Sequence, residues 1–350
     1  MKKTDWGLIA PVVAIAVIMV LLPLKNVGDV YYFAKAARTI LQGGLIYRDV
    51  EFTYPPIYAY LMAAVMLLLG DNSFALKFLP VAFHLATGVV IFERLKSWPA
   101  FYMYLLSPLP FLVSAIWGNF DVVAGFFTVL ALVLIARARY NVSALSLAIG
   151  INLKYFPVIL LIPILAYLKK GRVVYLGIIA IVSLLVNAPF MLLAWNGWLQ
   201  QVLVFQLSRP PSGYSVYSLA TGSLNGGPSE VGLLLPLALA VLFLVFYSRR
   251  EQLLQLSALF MTATVIFNKV VLWYGQWFVP LVVLCYREVR QDILLVAALF
   301  LSQIIVYLGP AVFGDQNSTV LAFGWFYQAT TAVLAWRLIV NVLKRSPRSV

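Results

Sequence analysis

The sequence predicts an all-α, polytopic membrane protein, and three observations carry that prediction. The 350 residues are 63% hydrophobic and only 11% charged, too little polar material to cover a soluble domain of this size. Apolar stretches of about 17–22 residues recur along the chain, the length a helix needs to cross a bilayer. The short alternating strands of a transmembrane barrel are absent from the pattern.

The charge distribution orients the helices. A formal net charge of +13 would suit nucleic acid, but the cations lie in short clusters between apolar runs. These are Lys2/Lys3, Arg94/Lys96, Arg137/Arg139, Lys169/Lys170/Arg172, Arg249/Arg250, Arg287/Arg290, and Arg337 with Lys344/Arg345/Arg348. Such clusters mark cytoplasmic loops, not a nucleic-acid surface. Placing them inside puts 17 of the 25 Lys and Arg in the cytoplasm with 5 of the 12 acids. Both termini are then cytoplasmic. One cysteine, Cys285, excludes an intramolecular disulfide or a cysteine cluster, and one histidine, His84, excludes a His-rich metal site. His84 falls in mid-span and reads as a core residue.

The elements follow in order, as one integral membrane domain spanning residues 1–350. Residues 6–24 lack a cleavage-site pattern and form a retained first helix. Further membrane segments are expected at 74–92, 99–116 and 122–136, as a split pair at 143–152 and 155–168, and at 173–194, 231–247, 253–267, 271–286, 293–312 and 319–335. The total is about 12, counting the split halves separately. The split arises because the clusters at 137–139 and 169–172 lie too close for two full crossings at about 1.5 Å per residue. Two half-helices meeting near Lys154 resolve this and point an ammonium group into the membrane, where it needs water or an anion. A single tilted helix with Lys154 snorkelling is the alternative.

Two long segments, 25–73 and 195–230, stay outside. In the first, Asp29 opens a helical pattern with Phe33, Ala36, Ala37 and Ile40 on one face and Lys35, Arg38 and Gln42 on another. That is an interfacial helix ended by Gly43-Gly44. Asp29 as its N-cap is the purely structural reading. Pro55-Pro56 then forces an extended lead-in and a fresh helix start. The helix over 57–69 lies at the outer surface, because a full crossing there would invert every later loop. Asp71 and Asp121 each precede or open a helix and read as caps.

The stretch "DVYYFAKAARTILQGGLIYRDVEFTYPPIYAYLMA" resembles the first outer loop of C-type (GT-C) polytopic glycosyltransferases that use polyprenyl-phosphate sugars. Within them it resembles the catalytic subunit of glycosylphosphatidylinositol mannosyltransferase I and the polyprenyl-phosphomannose-dependent mannosyltransferases. "WGNFDVV" (117–123), "GINLKYFPVILLIP" (150–163), "FQLSRPPSGYSVY" (205–217) and "NKVVLWYGQWFVPL" (268–281) are similar to further stretches of that family, in the same order. The mannosyltransferase I subunit carries a paired Asp-x-Asp in the first loop. Aligned on Ala36-Ala37-Arg38, this chain keeps only Asp29 and has Val27 at the first acid. One carboxylate holds a divalent ion poorly, so no cofactor is firmly expected, and a divalent metal, with Asp49 and Glu51 as candidate ligands, stays open as the weaker alternative.

The resemblance implies transfer of a hexose, mannose by analogy, from a polyprenyl- or dolichyl-phosphate carrier to an acceptor hydroxyl on a lipid or glycan at the extracytoplasmic face. Asp29 would be the base. Lys154, Arg209 and Lys269 would hold the donor phosphate. Tyr31, Tyr32, Arg38, Asp49, Glu51, Tyr54, Asp121, Trp273 and Gln276 are the possible sugar or acceptor contacts. Solvated loop cations and interfacial aromatics are the bland readings of several of these. A secondary transporter or lipid-sugar flippase is the rival class, suggested by the half-helix pair and its cation. Membrane lipids are partners in either case, and nucleic acid in neither.

Overall fold

The computed structural model describes residues 6–24, 28–208, 213–222, 234–267, 274–286, 293–313 and 318–344, and among these the chain is helical with no β-strand. Among the described residues three helices are long and apolar enough to cross a membrane, over Ser73–Leu95, Arg172–Leu193 and Thr319–Lys344, and shorter apolar helices fill most of the rest. The chain divides into two compact units. One comprises Met1–Leu106, Pro110–Pro157 and Tyr175–Leu207; the other comprises Ser107–Leu109, Val158–Val174 and Ser208–Val350.

The first unit holds α1 (Trp6–Leu21), α2 (Gly28–Leu41), α3 (Ile57–Leu69), α4 (Ser73–Leu95), α5 (Trp98–Leu105), most of α6 (Pro108–Ala115), α7 (Asp121–Ile135), α8 (Tyr140–Leu153), most of α10 (Arg172–Leu193) and α11 (Trp195–Trp198). The helix expected to open at Asp29 is α2. It buries Val30, Phe33, Ala34, Ala36 and Ala37 and leaves Tyr31 and Lys35 exposed, packing its small-residue face on α3. With 13 residues, α3 reaches about 20 Å at 1.5 Å per residue, short of a bilayer's ~30 Å core.

Two expectations need correction. The span over 99–116 is interrupted: α5 ends at Leu105 and α6 restarts at Pro108, because a proline has no N–H and its ring opposes the preceding turn. The cap of α4 is Asn72, not Asp71. The Asn72 Oδ1 accepts the Ala75 N–H at 3.0 Å, and Asp71 pairs with Arg38 instead.

Helix α4 also carries a buried cation, within the segment expected over 74–92. Lys77 is 3% exposed, and its Nζ donates to the carbonyls of Met19, Val20 and Leu22. These are carbonyls at the C-terminal end of α1 that no further turn satisfies, at the negative end of the helix dipole. A second polar seam ties α8, α10 and α11. The Asn187 Nδ2 donates to the Asn152 Oδ1 at 2.9 Å, and the Trp198 Nε1 donates to the Asn187 Oδ1 at 3.0 Å.

The second unit holds α9 (Leu161–Tyr167), α13 (Val216–Thr221), α14 (Leu234–Phe246), α15 (Leu253–Phe267), α16 (Gly275–Leu284), α17 (Ile293–Phe313) and α18 (Ser318–Lys344); α12 (Phe205–Ser208) runs across its boundary with the first. Leu239, Phe260 and Ala263 form part of its core. In the same unit the Gln303 Oε1 accepts the Leu109 N–H at 3.1 Å.

Candidate active site

The site of interest in the first unit begins where α8 stops. Pro157 lacks an N–H and its ring would meet the Leu153 carbonyl in a continuous helix. The chain therefore leaves the helix at Lys154, which is extended (φ −155°, ψ 145°), and continues as a 3-10 turn over Phe156–Leu160. The break expected near Lys154 is present. What lies opposite is a carboxylate: the Lys154 Nζ is 2.7 Å from the Asp121 Oδ2, with side-chain exposures of 7% and 0%. The ammonium also lies 5.1 Å from the Tyr54 ring centroid and 4.9 Å from that of Phe120, both within cation–π range.

Asp121 is the first residue of α7, but its side chain does not cap the helix, as the sequence pattern suggested. The N-cap is Phe120, without a side-chain cap bond. The carboxylate is drawn to Lys154 because an unpaired ammonium at that depth costs far more than a missing cap. Beside it, Asn119 performs two tasks. Its Oδ1 accepts the Asp121 N–H at 3.1 Å, and its Nδ2 donates to the Asp29 Oδ2 at 3.3 Å. Asp29 sits in the first turn of α2 and is partly exposed. A continuous chain, Asp29–Asn119–Asp121–Lys154, thus links three stretches distant in sequence: the start of α2, residues 119–121 at the start of α7, and the end of α8.

Aromatic rings enclose this chain. Phe33 meets Phe120 edge to face at 4.8 Å, Tyr58 stacks on Phe120 at 4.4 Å, and Tyr54 meets Phe120 at 5.0 Å. Tyr32 stacks on Phe52, and its hydroxyl accepts the Thr53 N–H. Burial pushes the Tyr32 hydroxyl up to about 12, so it stays protonated. The Tyr54 carbonyl accepts from the Tyr47 hydroxyl at 2.6 Å.

The rest of that loop is held by residues 197–206. The Gln201 Oε1 accepts the Phe52 N–H at 2.6 Å and its Nε2 donates to the Tyr47 carbonyl at 3.2 Å. The Gln206 Nε2 donates to the Thr53 carbonyl. Gln201 lies in a π-helical turn, Leu199–Val204. At Gly197 a Cβ would stand 1.9 Å from the Tyr47 carbonyl oxygen, so glycine alone permits this approach. Tyr47 itself adopts φ +71°, a left-handed conformation rare for a bulky residue.

The remaining candidates sit apart from this chain of contacts. Arg38 forms a two-pronged ion pair with Asp71, with side chains 42% and 45% exposed. Asp49 is bonded to Arg48 and to the Leu45 N–H, and the guanidinium holds its carboxyl down at about 2. Glu51 is exposed, and Tyr31 is 54% exposed. Gln276 is buried in α16 of the second unit. Arg209, Lys269 and Trp273 lie outside the described residues. Among the described residues, no three His, Cys, Asp or Glu side chains gather as a metal centre needs. Asn119, Gln201 and Gly197 were not singled out from sequence. Asn119 lies within the quoted "WGNFDVV", so the resemblance held the one signal that pointed to it.

This architecture is a known one. Over 97% of the chain it matches crystal structures of ArnT from Cupriavidus metallidurans. The match to ArnT bound to undecaprenyl phosphate has a TM-score of 0.58 at 13% identity and covers 79% of that chain. The match to the apo state has a TM-score of 0.57 at 12% identity and covers 78%. At such identity the likeness defines the fold, an integral membrane, all-helical GT-C architecture. The family follows from sequence: residues 52–273 match the model of glycosyltransferase family 87, and the chain belongs to that family. It is a membrane glycosyltransferase.

Proposed function

We propose that the protein transfers a hexose from a polyprenyl-phosphate carrier to an acceptor hydroxyl at the extracytoplasmic face, with Asp29 as the base. The observation that carries this reading is the tethering of Asp29, on the interfacial helix, by Asn119 beside a buried ion pair. A partly exposed carboxylate held in fixed orientation at the level of lipid headgroups is placed for proton transfer on a lipid-borne substrate. The donor class is supported by the likeness of fold to ArnT, crystallised with undecaprenyl phosphate, and mannose by the sequence resemblance.

In the reaction the acceptor oxygen attacks the anomeric carbon while its proton passes to the Asp29 carboxylate. The bond from that carbon to the phosphate oxygen breaks, and polyprenyl phosphate departs with the bonding electrons. Lys154, Arg209 and Lys269 supply positive charge to the departing phosphate. Lys154 shares its charge with Asp121, which lessens what it can offer the phosphate. Arg38, Asp49 and Glu51, with the aromatic residues Tyr31, Tyr32, Tyr54 and Trp273, are the groups through which sugar and acceptor are contacted, and Gln276 and Asp121 are the more buried members of that set.

Purified protein in liposomes with labelled polyprenyl-phosphate mannose and a panel of acceptors tests this. Release of polyprenyl phosphate is the expected result. Movement of intact lipid-sugar across the bilayer with no release would replace the enzyme by a flippase. Asp29→Asn should lower turnover by roughly 100- to 10,000-fold while leaving the folded fraction unchanged.

A further inference from the structure

We propose that Asn119 is the positioning residue for Asp29: an amide clamped from two sides so that only its N–H end can face the carboxylate. The inference rests on Asp29 being the base. The Asp121 backbone N–H is a donor with no acceptor capacity, so the side-chain atom it meets must be the Asn119 oxygen. The amide nitrogen is thereby turned to the Asp29 Oδ2. The residue cannot shift to relieve that orientation. Asn119 is 2% exposed, its own N–H donates to the Val113 carbonyl at 3.2 Å, and Asp121 is fixed by Lys154.

Among the described residues Asn119 is the one hydrogen-bond partner of the Asp29 carboxylate. The clamp therefore joins α2 to the start of α7, 90 residues away. Holding Oδ2 leaves the other oxygen of the carboxyl to take the acceptor's proton, which fixes the direction of attack. Neither a leucine nor an aspartate at 119 could do this. The first lacks both functions; the second keeps the bond from the Asp121 N–H but turns an oxygen toward an oxygen.

Steady-state kinetics of Asn119→Ala, Asp29→Asn and the double variant, in liposomes with labelled polyprenyl-phosphate mannose, test the proposal. Asn119→Ala should lower kcat by roughly 10- to 100-fold, the worth of a hydrogen bond to a charged group, with the donor KM unchanged. The double variant should be no slower than Asp29→Asn, since Asn119 acts through Asp29. A kcat equal to the parent's, or a double variant slower by the full factor of Asn119→Ala, would overturn it. Asp29→Asn alone decides the base assignment separately: parental turnover there removes that reading whatever the Asn119 result. Should Asn119→Ala fail to fold, the near-isosteric Asn119→Asp reads the same quantity. A kcat loss of roughly 10-fold or more with unchanged thermal midpoint supports the clamp; parental turnover refutes it.

Discussion

Two ion pairs in the first unit use the same chemistry in opposite surroundings. Asp121 and Lys154 are almost wholly buried where the start of α7 meets the end of α8, 2.7 Å apart. Arg38 and Asp71 face solvent at the rim, where α2 meets the start of α4. Each joins segments about equally far apart in the chain, 33 residues in both cases. The difference lies in the cost of losing a partner. A buried ammonium without its carboxylate has no water to turn to, whereas an exposed guanidinium has plenty. The inner pair therefore fixes the geometry around Asp29, and the outer pair contributes little beyond fastening the rim.

The largest effect expected is that of Asp121→Asn, which leaves Lys154 charged and unpaired. It should destabilise the protein by about 3–5 kcal/mol, seen as a lowered midpoint of thermal unfolding in detergent. Asp121→Leu with Lys154→Met should recover most of that loss. Failure of the double variant to recover would mean that the pair does more than satisfy each other's charge.

A backbone tie sharpens the contrast, since it involves no charge. Gly197→Ala must push the α11 segment off the Tyr47 carbonyl, and should cost about 1–3 kcal/mol as an overpacking change. Its effect should be insensitive to salt, unlike that of the rim pair. Arg38→Met should cost less than about 1 kcal/mol. A loss comparable to that of Asp121→Asn would show that rim and interior are not distinguished by solvent.

The smallest effect is that of pH on the rim. The Arg38 guanidinium holds the Asp71 carboxyl below its ordinary range, with burial opposing. A depressed carboxylate stabilises the fold above its unfolded titration point and loses that contribution as pH falls through its folded one. Acidification below about pH 4 should therefore remove the small difference between the parent and Arg38→Met. A difference that persists to lower pH would assign it to packing of the Arg38 stem.

How much of this was legible in the sequence depended on how local the cause was. The bounds of α15, 253–267, follow from hydropathy alone. The break at Lys154 follows from two cation clusters lying too close together, with Pro157 as the local agent. Asp71 and Asn72 are adjacent residues of equal capping competence, and only the position of Arg38 on a distant helix decides between them. Nothing near Lys77 in sequence reveals the carbonyls of Met19, Val20 and Leu22 that it meets. Asn119 and Gln201 matter through partners roughly 90 and 150 residues away, a distance that no periodicity encodes. The aromatic residues were visible as a group, but their edge-to-face order around Phe120 was not.

The contacts of Gln201, Gln206 and Gly197 with residues 47–53 carry a practical consequence for building hybrids of this enzyme with its relatives. A graft of residues 28–69 alone would arrive without the surface that shapes it, and its loop would have to find a new resting place. Residues 195–208 should travel with residues 28–69 as one exchangeable cassette, whichever sugar or acceptor the hybrid is meant to take.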